Sequence, residues 1–524
     1  MRAERLAGVV ALVLAVAYLL APPMGTDLSA QVARARFFAD HGLTPIDLGW
    51  YGGINQFGYS LLSAPLGAAL GVRVLGALAA VVGAVAFGWL LVRGGARRPL
   101  LGAVLGAVIL VGNLVSGRVT FAVGLAFGLL ALCALAVPVA AAPPVAAALP
   151  AVGAAPRPGR RFWLAAAALL AALATWASPV AGLFIGLAGG ALLLADLWRR
   201  DGEPRRVRAE SLVLCLAPAV ALLPMAVLFG NGGAQPFTAD SMRINVALAV
   251  AVALLVPRRV IRVGAALAAL LLVAAFYLPS PIGSNALRLP MLFALPVVAA
   301  FAPLGARWLA AVLVALVWWQ SPVVTGDLTR AGSAETRAAF YRPLTDELAR
   351  RGPVGRVEVV PLRDHWEAAY VAATVPLARG WERQVDMDRN PLFYRTALDP
   401  AAYRAWLRDN AVSYVALADS PPDVYGRQEA ALVASGPDYL REVWRDRVWR
   451  LYEVVDPAPL VAAPGRLVAS AAGGVTLAVD APGEVLVRVR WSRWLTADGA
   501  ARLGRQGPWT VLHAPKAGRY TVSG

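Results

Sequence analysis

The sequence predicts a polytopic α-helical membrane protein of about eleven transmembrane helices, with a C-terminal extracytoplasmic α/β plus β-rich domain. Three observations predict it. The 524 residues are 59% hydrophobic and only 15% charged, with a mean hydropathy of +0.61, well outside the range of soluble chains. Apolar runs long enough to cross a bilayer recur from residue 6 to residue 322. After about residue 323 charge, Trp and Tyr return throughout, as in a water-facing domain.

The apolar runs fall near 6–22, 73–92, 100–116, 119–139, 162–176, 180–197, 210–229, 244–256, 260–278, 288–303 and 307–322. The first has a basic end like a signal peptide, but its length and the spans that follow it predict an uncleaved helix. The stretch 57–71 is shorter and broken by Pro65, which suits a half-helix dipping into the bilayer or an extension of the second span. A cytoplasmic N-terminus places the basic connections 93–98, 157–161, 199–208 and 258–262 on one side, as the positive-inside rule requires. The opposite side then receives 23–59, 113–118, 175–179, 229–245, 278–288 and the whole of 323–524. Residues 140–160, rich in Pro and Ala, read as a flexible linker.

The predicted domains are 1–322, transmembrane; 323–457, an extracytoplasmic α/β unit; and 458–524, a β-rich appendage. In the second, 328–352, 365–373 and 400–410 read as helices, with Phe340, Leu344 and Leu348 on one face of the first, and 354–362 and 412–419 read as strands. From 458 onward strand-period alternation with Pro-Gly and Ala-Gly turns predicts a sandwich or hairpin unit.

The long polar break at 23–59 holds the chemistry-bearing residues. Pro23 and Gly25 open it, Thr26 or Asp27 suits an N-cap, and Leu28, Val32, Ala35 and Phe38 mark one face of a membrane-surface helix. Arg34, Arg36 and Asp40 mark the other face; Gly42 stops the helix, and a loop carrying Asp47, Trp50 and Tyr51 follows. Trp50, Tyr51, Tyr59 and Trp176 suit stacking on a sugar or lipid, or an interfacial belt. Arg118, Arg243 and Arg288 stand at outer helix ends, where arginine either snorkels to headgroups or holds a phosphate through paired donors. Arg288 is the strongest of them, because Ser284 and Asn285 add neutral donors in an open turn. The segments 363–370 and 379–394 are dense in acids and aromatics, suiting an acceptor polymer or, more commonly, packing against the membrane domain.

An outer carboxylate, helix-end arginines and an outer domain suit sugar transfer from a lipid carrier. The carboxylate would deprotonate an acceptor hydroxyl while cations hold the leaving phosphate at the interface. At Gly25-Thr26-Asp27 after the first span, Phe37 to Gly42 at the end of the surface helix, and 283–293 at the start of a late span, the chain resembles the GT-C fold glycosyltransferases, particularly the bacterial polyprenyl-phosphate-sugar-dependent mannosyl- and arabinofuranosyltransferase type. The resemblance implies an inverting transfer from a polyprenyl-phosphate sugar donor to an envelope glycan or glycolipid, in a bacterial plasma membrane. It implies Asp27 as general base; the family's adjacent acid pair is absent here, which leaves Asp40 and Asp47 open as alternatives or supports. That departure weakens metal assistance, so no cofactor is assigned and a divalent cation stays an open option.

The remaining classes are readily weighed. Net charge is +17, carried almost wholly by Arg, with no basic stripe interleaved with aromatics, so nucleic acid is not an expected partner. Histidines at 41, 365 and 513 give no metal-ligand spacing, and Cys133 and Cys215 sit in apolar runs as filler. A multi-span transporter or flippase would place ionisable groups mid-span, and these spans carry almost none. A non-catalytic envelope assembly factor is the other alternative.

Overall fold

The computed structural model describes residues 2–137, 159–198, 207–395 and 397–524. The linker expected at 140–160, except for its last two residues, and most of the basic connection 199–208 lie outside the described residues. The chain divides into two compact units. One comprises 1–20, 73–227 and 236–324, and the other comprises 21–72, 228–235 and 325–524.

In the helical unit every apolar run read from the sequence falls on a helix. Among the described residues eight helices are long and apolar enough to cross a membrane: Ala3–Leu20, Val72–Arg93, Pro99–Ser116 (its last turn 3-10), Val119–Ala136, Pro179–Leu197, Ala209–Phe229, Arg259–Tyr277 and Gly283–Phe301. Arg160–Ala177, opened by two arginines, Ala239–Leu255 and the 14-residue Ala306–Trp319 complete the set. The chain is thus a multi-pass membrane protein. Its helices bury small residues and show large ones outward. In the first helix Ala7, Ala11 and Ala15 recur every four residues and are buried, whereas Leu12, Val13, Val16 and Leu20 are exposed. Lipid is as apolar as leucine, so close backbone approach replaces a hydrophobic driving force. Gly124 shows the tolerance: a Cβ there would lie 2.8 Å from the Cβ atoms of Ser178 and Ala181 and 2.9 Å from the Ala174 carbonyl.

In the other unit, strands Arg356–Val359, Val412–Ala418, Trp449–Val454 and Leu440–Arg445 form a sheet in that order, the first pair parallel and the rest antiparallel. Helices Ala338–Arg350, Pro400–Asp409 and Arg427–Ala434 accompany it, and Tyr403, Leu407, Val412, Val415 and Val433 are buried in its core. Beyond it, a four-stranded sheet (496–497, 518–523, 474–479, 465–471) and a three-stranded sheet (502–506, 509–514, 483–490) share a core of Val475, Leu477, Val485, Val487, Leu512, Tyr520 and Val522. Two antiparallel sheets alternating inward and outward residues make this a sandwich.

Residues 21–72 belong to this second unit, which the local pattern of apolar and polar residues did not show. Ile46 and Leu48 enter the sandwich core, and the Leu48 N–H donates to the Ala472 carbonyl at 2.8 Å. The stretch 57–71 contains the eight-residue helix Ser63–Leu70, ended at Gly71.

Candidate active site

Helix Leu28–His41 forms where the sequence places it, and Gly42 ends it at φ +61 with its N–H donating to the Phe38 carbonyl. Its buried positions are Leu28, Ser29, Ala30, Gln31, Ala35 and Phe37. Leu28 and Ala35 are buried as expected, whereas Val32 and Phe38 are only half-buried and Gln31 and Phe37 are buried instead; the helix packs against the 63–70 helix and the 367–370 turn of its own unit.

Asp27 occupies the N-cap position in helical geometry (φ −85°, ψ −12°), and its carboxylate makes no capping bond. The bland role read from the sequence, capping, is therefore not the one this side chain performs. Asp27 is half-buried, and beside it Trp381 donates its indole N–H to the Thr26 carbonyl at 2.6 Å. Two turns along, Arg34 pairs with the buried Glu382 at 2.5 Å and lies 4.8 Å over the Tyr59 ring. Gln384 donates to the other Glu382 oxygen at 2.7 Å.

The other two candidate acids are placed differently. Asp40 is exposed near the far end of the same helix, so thirteen residues of 1.5 Å rise put it roughly 20 Å from Asp27. The two cannot act on one atom. Asp47 is buried and accepts the Gly49 N–H at 2.7 Å; burial pushes its carboxyl up to about 7, against the opposing pull of that N–H and of Arg34. Trp50 and Tyr51, expected to stack on a sugar or lipid, are each 1% exposed. Trp50 donates to the Ala368 carbonyl at 3.0 Å and the Tyr51 hydroxyl accepts the Glu382 N–H at 3.1 Å, so both are spent on holding the loop to its own unit.

The predicted phosphate ligands lie in the helical unit. Arg288, 7% exposed, begins helix Arg288–Phe301 directly after the 3-10 turn Gly283–Leu287, which carries Ser284 and Asn285. Its guanidinium lies 5.1 Å over the Phe121 ring, and Phe121 is three residues beyond Arg118, the N-cap of helix Val119–Ala136. The structure thus brings Arg118 and Arg288 to the same helix end. Arg243 stands apart: its side chain is 72% exposed and paired with Asp240 at 3.3 Å. Asn285 directs its amide to the Pro281 carbonyl at 3.3 Å. Cations at the start of a helix, with the backbone N–H groups of its first turn, suit an anion.

Arg34 and Glu382 were named in the sequence only as members of a helix face and a polar segment. Their pairing spans 348 residues, and nothing local signals it. The same holds for Arg379, buried among Glu358, Glu429 and Asp386. Among the described residues no group of three His, Cys, Asp or Glu is placed to hold a metal ion.

No family model and no curated protein matches the chain. Solved structures similar to it include arabinofuranosyltransferase AftD from Mycobacteria, at 18% identity and a TM-score of 0.46, over 86% of this chain and 40% of that one. ArnT from Cupriavidus metallidurans bound to undecaprenyl phosphate shares 16% identity at a TM-score of 0.42, over 87% of this chain and 99% of that one. An oligosaccharyltransferase from Archaeoglobus fulgidus shares 12% identity at a TM-score of 0.40, over 79% and 68%. The chain spans about two fifths of the length of the arabinofuranosyltransferase it matches. At TM-scores below 0.5 these likenesses assign neither an activity nor a family to the chain.

Proposed function

We propose that the chain is a GT-C type glycosyltransferase that moves a sugar, with inversion, from a polyprenyl-phosphate donor to an envelope glycan or glycolipid. The work takes place at the outer face of a bacterial plasma membrane, with the N-terminus cytoplasmic and residues 323–524 extracytoplasmic. The observation that carries the reading is Asp27, which stands directly after the first apolar helix, at the head of a helix it does not cap. A carboxylate so placed can take the proton of an acceptor hydroxyl as its oxygen attacks the anomeric carbon. The bond to phosphate breaks on the opposite face, and the phosphate leaves carrying negative charge. Within the helical unit, Arg288 and Arg118, with Ser284 as a neutral donor, are the groups suited to hold a lipid phosphate. Asp47 takes no proton from substrate in this scheme; buried on the Gly49 N–H, it shapes the loop.

Thermal stabilisation by undecaprenyl phosphate, the bare leaving group, tests the proposal. A ligand that binds only the folded protein must raise its melting temperature. The expected result is a clear rise in wild type and an affinity at least about tenfold weaker in Arg288→Ala, since a charged hydrogen bond contributes ~1.5–3 kcal/mol. No stabilisation, or an unchanged affinity in the variant, would remove the phosphate site and shift the reading toward an assembly factor.

A further inference from the structure

Three segments of the second unit converge where parallel strands end. Arg356–Val359 and Val412–Ala418 are parallel neighbours, and Leu377 makes a further parallel bridge to Val357. Beyond their carboxyl ends come His365, then Trp381 and Arg383, then Asp423 and Tyr425. In open α/β sheets, that edge is where ligands bind.

The side chains there form a connected surface. The His365 imidazole stacks on Trp381 with ring centroids 3.4 Å apart and planes 11° from parallel. Arg383 lies 4.7 Å from both the Trp381 and Tyr425 rings and donates to Asp423 at 3.1 Å and to the Tyr394 hydroxyl at 3.3 Å. Tyr425 is exposed, whereas His365 is 3% exposed. His365 holds a left-handed backbone, φ +56°, of a kind that clusters at functional sites. Its Nδ1 lies 3.4 Å from Glu367, and its Nε2, buried with no hydrogen-bond partner, lies 3.9 Å from an Asp423 oxygen. That gap is too long for a direct bond and suits a bridging hydroxyl. Native interiors pair nearly all such atoms.

We propose that this surface is the acceptor subsite, binding a neutral sugar ring against Tyr425 with its hydroxyls between His365 and Asp423. The charges oppose a different occupant: Arg383 is neutralised by Asp423, so the patch does not draw a free anion, and an exposed ring flanked by a paired acid and guanidinium is what a polyol recognises. Trp381 links the subsite to the proposed base, because the same indole that carries His365 is bonded to the residue before Asp27. The proposal deepens the transferase reading and rests on it for the word acceptor, though not for sugar binding.

Isothermal titration of the full chain in detergent with maltohexaose, mannohexaose and arabinohexaose tests it, beside Tyr425→Ala and Asp423→Asn. At least one hexasaccharide should bind wild type, and each variant should bind it about tenfold more weakly, the scale of one aromatic or polar contact. Both variants should keep the wild-type response to undecaprenyl phosphate, which shows that they are folded. Absence of binding by all three hexasaccharides, or binding indifferent to both substitutions, overturns the subsite. Hexasaccharide binding that depends on Tyr425, in a chain that ignores undecaprenyl phosphate, keeps the subsite and removes the transferase reading.

Discussion

At helix contacts of the helical unit the buried residues include Ala7, Ala11, Ala167, Ala171 and Ala174, with Gly124 where no Cβ would fit. In the second unit, by contrast, Arg379 is 5% exposed among Glu358, Glu429 and Asp386, and lies 3.7 Å over the Phe393 ring. Burial pushes Glu358 well above the usual carboxylate range despite Arg379, and burial raises Glu429 as well. The difference follows from the surroundings. Helices in lipid gain little from hydrophobicity and are held by fit, whereas the second unit buries its ions beside cores of Val, Leu and Tyr.

The largest expected effect breaks the ionic side of this comparison. Arg379→Leu strands buried carboxyl groups and should lower the stability of the second unit by ~3–5 kcal/mol, read as lost hydrogen-exchange protection of strand Val412–Ala418 in the full chain. An unchanged protection pattern would mean the cluster is incidental. Asp47 sharpens the same side. Its folded carboxyl is raised to about 7 from an ordinary value of 3.8. Between those values the unfolded chain has lost the proton that the folded chain keeps, so stability falls as pH rises through the window. Asp47→Asn should flatten that slope, by at most roughly 4 kcal/mol, in denaturation followed from pH 4 to pH 8. An unaltered slope would place the titration elsewhere. On the packing side, Gly124→Val should cost ~1–3 kcal/mol by overpacking, read as a lower melting temperature in detergent, because Ser178, Ala181 and the Ala174 carbonyl occupy the space. A neutral result would show that the helix pair yields easily.

Legibility in the sequence divides along similar lines. Apolar runs are local, so the helices were readable, as were strands Arg356–Val359 and Val412–Ala418 from their valines. Membership of 21–72 in the second unit was not, since it depends on Ile46 and Leu48 meeting a core more than 400 residues away. On helix Leu28–His41 the burial of Leu28 and Ala35 was readable from spacing, but that of Phe37 in place of Phe38 was not, because the two are alike in sequence and only the packing partner tells them apart. Asp27 was named from its position alone, and that its side chain makes no capping bond is a matter of geometry. Trp50 and Tyr51 were read as surface aromatics because nothing local distinguishes a belt from a buried anchor. The two glutamate partners of Arg379, Glu358 and Glu429, lie 21 and 50 residues away along the chain, beyond the reach of any helical or strand period.

The central claim is that Asp27 is a base, and single-turnover transfer by Asp27→Asn from a polyprenyl-phosphate sugar tests it most directly. The account predicts a ~10²–10⁴-fold slower transfer step with donor binding retained, since the side chain takes the proton of the acceptor hydroxyl. Transfer at the wild-type rate, with the variant folded and donor-bound, would contradict it.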